Sequence, residues 1–137
     1  MIICDESYPA TLDEIVAIQN KFIELIFVDS AKMREINKES RNIDKTTDVL
    51  SFPLIDTPNN KIGGSIVINL ELAKTMCDKF SHTLDEEIAI LFLHGLLHIM
   101  GYDHEKDSGE MRELEKKLSV KFGIKNSLIF RATKTCE

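Results

Sequence analysis

The stretch that most constrains this chain is the apolar run IAILFLHGLLHIMGYDH at residues 88–104, which contains three histidines. Such a run predicts a buried central helix. His94 and His98 are four residues apart, so on a helix their side chains project from one face on successive turns. Gly101 can end that helix, because glycine adopts the left-handed conformation of a C-cap without a steric penalty. The turn would bring His104 back towards the other two histidines.

Three converging imidazoles form a ligand set that suits Zn²⁺, with the fourth position left for water. The spacing H-x-x-x-H-x-x-G-x-x-H is also the metzincin protease layout, except that Gly95 replaces the glutamate that acts there as general base. Alternatively, His94 and His98 are hydrogen-bonded core residues and His104 lies in an incidental loop. Three histidines at this spacing favour the metal site. We therefore predict one Zn²⁺ per chain, bound by His94, His98 and His104.

Length and composition set the class of protein. The 137 residues, 43% of them hydrophobic, suffice for a single globular domain spanning 1–137. The start of the chain lacks the pattern of a signal peptide, and no apolar run is long enough for a membrane helix. Three widely spaced cysteines without a C-x-x-C pair suit a reducing cytoplasm. The net charge of −6 by itself counts against nucleic-acid binding, and neither a membrane nor DNA is an expected partner.

Local patterns predict an α/β (α+β) fold, in which a mixed sheet of about four strands is covered by about five helices. Strands are expected at residues 2–4, 22–28, 47–52 and 62–68. Polar loops or turns are expected at 37–46 and 56–60, a solvent-facing His82 in the link at 81–83, and a short strand or turn at 128–130. Paired glycines at 63–64 predict a bulge or a close backbone approach. The order of the strands cannot be read from these patterns.

Capping patterns predict where the helices begin. The predicted starts are a capping box of Thr11 and Glu14, a cap at Asp29 or Ser30 with Met33 and Ile36 facing inward, a cap at Asn69 for a helix through Phe80, and a capping box of Thr83 and Glu86 for the histidine helix. A last helix has Met111, Leu114 and Leu118 on one face, and its charged residues are expected to face solvent.

Two motifs resemble those of a known family. HGLLHIMGYDH resembles the H-G-x-L-H-x-x-G-Y-D-H signature of the YbeY family of bacterial endoribonucleases, also called rRNA maturation factors. The family's R-x-x-D-x-x-T-D-V-L-S-F-P pattern is matched by Arg41, Asp44 and residues 47–53. Between them, residues 66–69 resemble the family's G-D-I-V-I-S segment. The order and separation of these segments also fit, so the resemblance covers essentially the whole chain.

The resemblance implies a zinc-dependent, single-strand-specific endoribonuclease in ribosomal RNA maturation and ribosome quality control. It implies zinc ligands at His94, His98 and His104, and a functionally important arginine at Arg41. It also implies a mostly parallel four-stranded sheet, with the motif helix placed as in zincins. The implied partners are single-stranded RNA, above all rRNA, and the ribosome or its small subunit with assembly factors. A local basic patch could hold RNA despite the acidic total, formed by Lys32, Arg34, Lys38, Arg41, Lys45 and Lys61.

A mechanism can be outlined from these residues. Zinc held by three neutral imidazoles lowers the pKa of its water towards ~7 and polarises a phosphoryl oxygen. Arg41 can hold two phosphate oxygens at once, although a structural pair with Asp44 or Asp48 would explain it equally well. No general base can be assigned, and Asp103 is a candidate to orient a ligand histidine. Attack by zinc-bound hydroxide and attack by the RNA 2′-hydroxyl both remain open.

Two other functions compete with RNA cleavage. The first is a zinc peptidase or another hydrolase with the same ligand spacing, against which Gly95 counts because it removes the base. A small residue at Gly95 is instead expected to leave room for a bulky, charged substrate. The second is a non-catalytic zinc module that docks on ribosomes, although structural zinc is usually four-coordinate and rich in cysteine.

Overall fold

The computed structural model describes residues 1–54, 59–103 and 105–124, and in these ranges one four-stranded sheet is covered by five helices. The strands are β1 (Ile2–Ile3), β2 (Phe22–Val28), β3 (Val49–Pro53) and β4 (Ile62–Asn69). The helices are α1 (Thr11–Val16), α2 (Ser30–Arg41), α3 (Leu70–Lys79), α4 (Leu84–Ile99) and α5 (Glu110–Lys121). The third predicted ligand, His104, most of the predicted turn at 56–60 and the segment 128–130 lie outside the described residues.

The sheet is mixed and mostly parallel, as expected. Its strand order is β1-β2-β4-β3, in which β1, β2 and β4 run parallel and β3 is the antiparallel strand at one edge. The two central strands, β2 and β4, are rich in β-branched and aromatic residues, which suit a strand that is buried on its core face. This arrangement leaves one backbone edge of β3 unpaired within the described part of the chain.

The two faces of the sheet bury cores of different size. Along β4, Ile66 and Ile68 face the larger core, which is shared with α1, α3, α4 and α5, whereas Val67 faces α2. The smaller core is formed by Val67, Met33 and Leu50. Helix α4 lies in the larger core and is buried almost all round, as its apolar sequence predicts. Within the described residues, no helix has the length and apolar character needed to cross a membrane.

Three of the four predicted helix caps are present. The Asp29 carboxylate accepts a hydrogen bond from Lys32 N at 2.8 Å, and the Asn69 side chain accepts one from Leu72 N at 3.0 Å. Thr83 and Glu86 form the predicted capping box at the start of α4. Each such cap typically contributes ~1 kcal/mol, because it satisfies an N–H group that the helix itself leaves unpaired.

The predicted capping box at Thr11 is wrong. Helix α1 already includes Thr11, and Ala10 is its N-cap without any side-chain hydrogen bond. The carbonyl of Pro9 instead accepts a hydrogen bond from Leu12 N at 3.0 Å. The backbone of the preceding turn therefore satisfies the helix start, and the threonine hydroxyl is not needed.

The loop predicted at 37–46 is also wrong in its first half, because α2 continues to Arg41. Its polar sequence conceals one buried position, Asn37, which lies four residues after the buried Met33 on the same helix face. The Asn37 amide donates a 2.9 Å hydrogen bond to the carbonyl of Lys45. The Asn37 side chain therefore occupies a core-facing position of α2, and its hydrogen bond holds the segment after the helix, at Lys45, against α2.

His82 is not solvent-facing as predicted. Its side chain is 4% exposed, and its Nε2 lies 2.6 Å from Oε1 of the fully buried Glu87. The ring is stacked on Phe80, with centroids 6.2 Å apart and planes 10° apart. The link between α3 and α4 is therefore closed by a buried histidine–carboxylate pair.

The glycine pair at 63–64 shows both predicted features. The register between β2 and β4 passes from Phe22↔Ile62 to Ile23↔Gly64, so Gly63 is the extra residue of a bulge. A Cβ on Gly64 would lie 2.6 Å from the carbonyl oxygen of Phe52, so the neighbouring strand approaches too closely for any side chain.

Candidate metal-binding and catalytic cleft

The turn after α4 is built as the sequence predicts. Gly101 has a φ of +103°, and its N–H donates to the carbonyl of His98 at 3.0 Å. The N–H of Tyr102 donates to the carbonyl of Leu97, also at 3.0 Å. These two bonds form a Schellman motif, which ends α4 at Ile99, one residue after His98, and reverses the chain.

His94 and His98 meet at their Nε2 atoms, which are 3.2 Å apart. Their rings are edge-on, with centroids 4.7 Å apart, and His94 is 7% exposed. Two nitrogens at about 2.1 Å from one tetrahedral ion lie about 3.4 Å from each other, so this spacing fits a shared Zn²⁺. The described residues contain no group of three or more possible metal ligands, and His104 is not among them.

The other ring nitrogen of His94 is bound by a residue that the sequence analysis missed. Nδ1 of His94 lies 2.9 Å from Oε1 of Glu115, which is 1% exposed. Glu115 was expected on the solvated face of α5, yet it follows Met111 by four residues and precedes Leu118 by three, so the helical period places it on the buried face. A charged residue inside this apolar stripe is the signal that could have revealed it.

The histidine pair borders a cleft of about 490 Å³ between β3, the end of α2 and the turn after α4. The cleft is lined by Arg41, Thr47, Asp48, Val49, Leu50, Ser51, Pro53, His94, His98, Gly101, Tyr102 and Asp103. The structure thus brings Arg41 into the same cleft as two of the predicted metal ligands, although 53 positions separate Arg41 from His94.

Arg41 is held by β3 and not by the carboxylates considered as its partners. Its Nη2 donates a 2.9 Å hydrogen bond to the carbonyl of Ser51, and its guanidinium carbon lies 5.7 Å from the centre of the Phe52 ring. Asp44 pairs with Arg34 at 2.8 Å, and the hydrogen bond from Arg34 lowers the pKa of Asp44. The carboxylate of Asp48 accepts from its neighbours Thr47 and Val49. Neither carboxylate neutralises Arg41.

Charge in and around the cleft is more balanced than a basic patch would be. Among the described lining residues, Arg41 is the one Lys or Arg, and it shares the cleft with Asp48 and Asp103. Of the residues predicted to form the patch, Lys32 lies 3.7 Å from Glu35 and Arg34 is paired with Asp44. Asp103, expected to orient a histidine, accepts a hydrogen bond from Glu105 N at 3.0 Å and so supports the turn.

Gly95 is small for a different reason from the one expected. A Cβ there would lie 2.9 Å from Ser51 Oγ, 3.1 Å from Ile66 Cγ2 and 3.4 Å from Val49 Cγ2. The missing side chain therefore leaves space for the sheet and not for a substrate. Because Gly95 has no side chain, α4 approaches β3 and β4 closely enough for Ser51 Oγ to donate to the Gly95 carbonyl at 3.0 Å.

Fold and site together define a small α/β protein in which two histidines in contact at their Nε2 atoms line the same cleft as an arginine. Comparison with known proteins then gives the family: residues 4–123 match the model of the endoribonuclease YbeY family, and the chain belongs to that family. The match takes in both sides of the cleft, because it includes Arg41 and the histidine motif.

Named relatives agree with this assignment. An endoribonuclease YbeY of Campylobacter fetus subsp. fetus is 53% identical over 132 residues, which cover 96% of this chain and 98% of the relative. One from Helicobacter pylori is 53% identical over 110 residues, or 80% of this chain and 78% of the relative. The solution structure of a Thermotoga maritima protein superposes with a TM-score of 0.59 at 32% identity, covering 85% of each chain.

Proposed function

We propose that this protein is a zinc-dependent, single-strand-specific endoribonuclease that acts in ribosomal RNA maturation and ribosome quality control. The observation that carries the proposal is the pair of Nε2 atoms of His94 and His98, 3.2 Å apart, in a cleft that also contains Arg41. Membership of the endoribonuclease YbeY family supports RNA as the substrate. Zinc and the ribosomal role are inferences from the donor set and from the family resemblance.

In this proposal His94, His98 and His104 hold the ion. A Zn²⁺ bound by imidazoles supplies Lewis acidity and lowers the pKa of a bound water. His94 would contribute the lone pair of its Nε2, because its Nδ1 lies 2.9 Å from the Glu115 carboxylate and is therefore the nitrogen expected to carry the proton. Nε2 of His98 lies 3.2 Å from the same atom and would be the second donor. Both ligands are fixed on the buried helix α4, so their relative position is set before substrate arrives.

Arg41 is proposed to bind the phosphate that is cleaved. Its hydrogen bond to Ser51 uses Nη2, and no other hydrogen bond to Arg41 is present within the described residues. The remaining donors can reach a phosphate oxygen in the cleft, and a guanidinium directed at developing negative charge stabilises it. Contact with Phe52 and the Ser51 carbonyl limits the motion of the side chain, which reduces the entropy lost on binding.

The outer edge of β3 argues against a peptidase. The carbonyl of Asp48 accepts from Asn69 N and the N–H of Leu54 donates to Gly63, so every second residue from 48 to 54 bonds to β4. The backbone N–H and carbonyl groups of the residues between them, Val49, Ser51 and Pro53, therefore point away from β4, towards the cleft. The N–H of Val49 donates to the Asp48 carboxylate, the carbonyl of Ser51 accepts from Arg41, and Pro53 has no N–H. An extended peptide that adds to this edge would find the Val49 N–H occupied and no N–H at Pro53, and it would compete with Arg41 for the Ser51 carbonyl.

The test is cleavage of a single-stranded RNA, with a duplex of the same sequence as the comparison substrate. Zinc-loaded wild type is expected to cut the single strand in preference to the duplex, and His98→Ala is expected to lose this cleavage. A 2′,3′-cyclic phosphate on the product indicates attack by the 2′-hydroxyl, and its absence indicates attack by water. A folded, zinc-loaded protein that cosediments with ribosomes but cuts no RNA would instead support the non-catalytic module.

A further inference from the structure

Two buried histidine–glutamate pairs occur in the described residues, and only one of them contains a histidine that lines the cleft. In one, Nε2 of His82 meets Glu87 at 2.6 Å, and neither residue lines the cleft. In the other, Nδ1 of His94 meets Glu115 at 2.9 Å, and Nε2 of the same ring lies 3.2 Å from Nε2 of His98. Pairing with a buried carboxylate therefore does not by itself mark a functional histidine, and His94 is distinguished by its place in the cleft and by its contact with His98.

We infer that Glu115 is a positioning residue for metal binding, an inference that rests on the zinc site of the proposed function. A carboxylate oxygen accepts hydrogen bonds, so the ring nitrogen that meets Glu115 is the protonated one, Nδ1. That choice of tautomer leaves the lone pair on Nε2, the atom directed at His98. Without Glu115 the ring could adopt the other tautomer, which has no lone pair at the metal position.

The surroundings of Glu115 show that its position is well determined. Glu115 is 1% exposed, and burial of a carboxylate is costly unless a partner compensates it. On the same face of α5, Met111 is fully buried, and Leu114 and Leu118 pack against the main core. Helix α5 therefore holds the carboxylate rigidly beside α4, and the His94 ring has one favoured orientation.

The experiment compares zinc affinity in two near-isosteric variants, Glu115→Gln and the matched control Glu87→Gln. Each replaces the glutamate of a buried histidine pair, but only the first pair contains a proposed ligand. Zinc dissociation constants are measured by competition with a chromophoric chelator, and melting temperatures are measured on the metal-free proteins. Glu115→Gln is expected to weaken zinc binding by about 10- to 100-fold, and Glu87→Gln to leave it unchanged while lowering the melting temperature.

The outcomes are distinguishable. Wild-type zinc affinity in Glu115→Gln, with only a lower melting temperature, would make Glu115 purely structural and overturn the inference without touching the zinc site. A wild-type protein that binds no zinc would overturn the proposed zinc site and this inference with it. If Glu115→Gln does not fold, imidazole ¹⁵N spectra of metal-free wild type decide: the Nδ1–H tautomer of His94 supports the inference, and the Nε2–H tautomer refutes it.

Discussion

The hydroxyl of Ser51 donates a 3.0 Å hydrogen bond to the carbonyl of Gly95, and this bond joins strand β3 to the helix that carries His94 and His98. The backbone carbonyl of Ser51 accepts from Arg41 at 2.9 Å. One residue thus contacts the element on each side of the cleft. The separation between the arginine and the histidine pair therefore depends on how closely α4 packs on β3.

We expect Gly95→Ala to destabilise the protein, although alanine is the better helix former. The substitution gains ~1 kcal/mol of helix propensity, but its Cβ would lie 2.9 Å from Ser51 Oγ and 3.1 Å from Ile66 Cγ2. Relief requires Ser51 to rotate and lose its bond to Gly95, and overpacking of a core contact typically costs about 1–3 kcal/mol. The free energy of unfolding, measured in urea, should fall by about 1–2 kcal/mol.

The double variant with Ser51→Ala tests the cause. Removal of the hydroxyl leaves room for the new methyl group, so Gly95→Ala should cost less in the Ser51→Ala background than in wild type. Equal costs in the two backgrounds would show that Ser51 is not the contact that matters. Ile66 would then be the residue to change.

Metal content gives a second prediction. Purified protein is expected to contain one zinc per chain, with each ligand nitrogen at about 2.1 Å from the ion, because the His94 and His98 nitrogens are already 3.2 Å apart. Removal of zinc by a chelator should lower the melting temperature, since a ligand at a hundredfold excess over its dissociation constant stabilises by ~2.7 kcal/mol. His98→Ala should contain no zinc and should not respond to the chelator.

His82→Gln is the control for that experiment. His82 is as buried as a ligand histidine, but it pairs with Glu87 away from the cleft. The His82→Gln variant should therefore be less stable than wild type but should still contain one zinc per chain. Wild-type metal content in His98→Ala, or loss of zinc in His82→Gln, would mean that the metal is bound elsewhere.

Features set by neighbouring residues were readable from the sequence. The bounds of β2, the caps at Asn69 and Thr83 and the turn at Gly101 all follow from residues within a few positions of each other. The spacing of His94 and His98 follows from the pitch of one helix. These predictions are confirmed because local backbone chemistry and the tertiary fold favour the same structure there.

Features set by distant contacts were not readable. The partner of Arg41 is a backbone carbonyl, which every residue has, so no residue pattern identifies it. The polar residue Asn37 is buried in α2 because its amide donates to the carbonyl of Lys45, eight residues further along the chain. Glu115 is buried because α5 packs on α4, where its carboxylate contacts His94. Asn37 and Glu115 are polar, and polarity alone predicted that they would be exposed. In a helix, a buried polar residue differs from a solvated one only in its position relative to the apolar residues, three or four positions away, that form the buried face.

Arg41 provides the prediction that separates an enzyme from a binding module. Arg41→Lys keeps the positive charge but loses the planar set of donors that can bond to Ser51 and to a phosphate at the same time. Loss of such a contact in the transition state typically costs ~3 kcal/mol, so single-turnover cleavage of single-stranded RNA should slow by about a hundredfold or more. Zinc content should not change, and the melting temperature should fall only slightly, because Arg41 is an exposed residue and the substitution removes a single, part-buried hydrogen bond.

Arg34→Lys on the same helix is the matched control, since Arg34 is also exposed but pairs with Asp44 outside the cleft. Solvent screens an exposed pair, which contributes little to stability, so this variant should cleave RNA at the wild-type rate and melt at nearly the wild-type temperature. If Arg41→Lys cleaves as fast as wild type and only melts earlier, then Arg41 braces β3 through Ser51 and takes no part in catalysis. If both variants slow cleavage equally, the two arginines contribute to catalysis through the general positive charge of α2. A specific contact to the phosphate would slow only Arg41→Lys, because Arg41 lines the cleft and Arg34 does not.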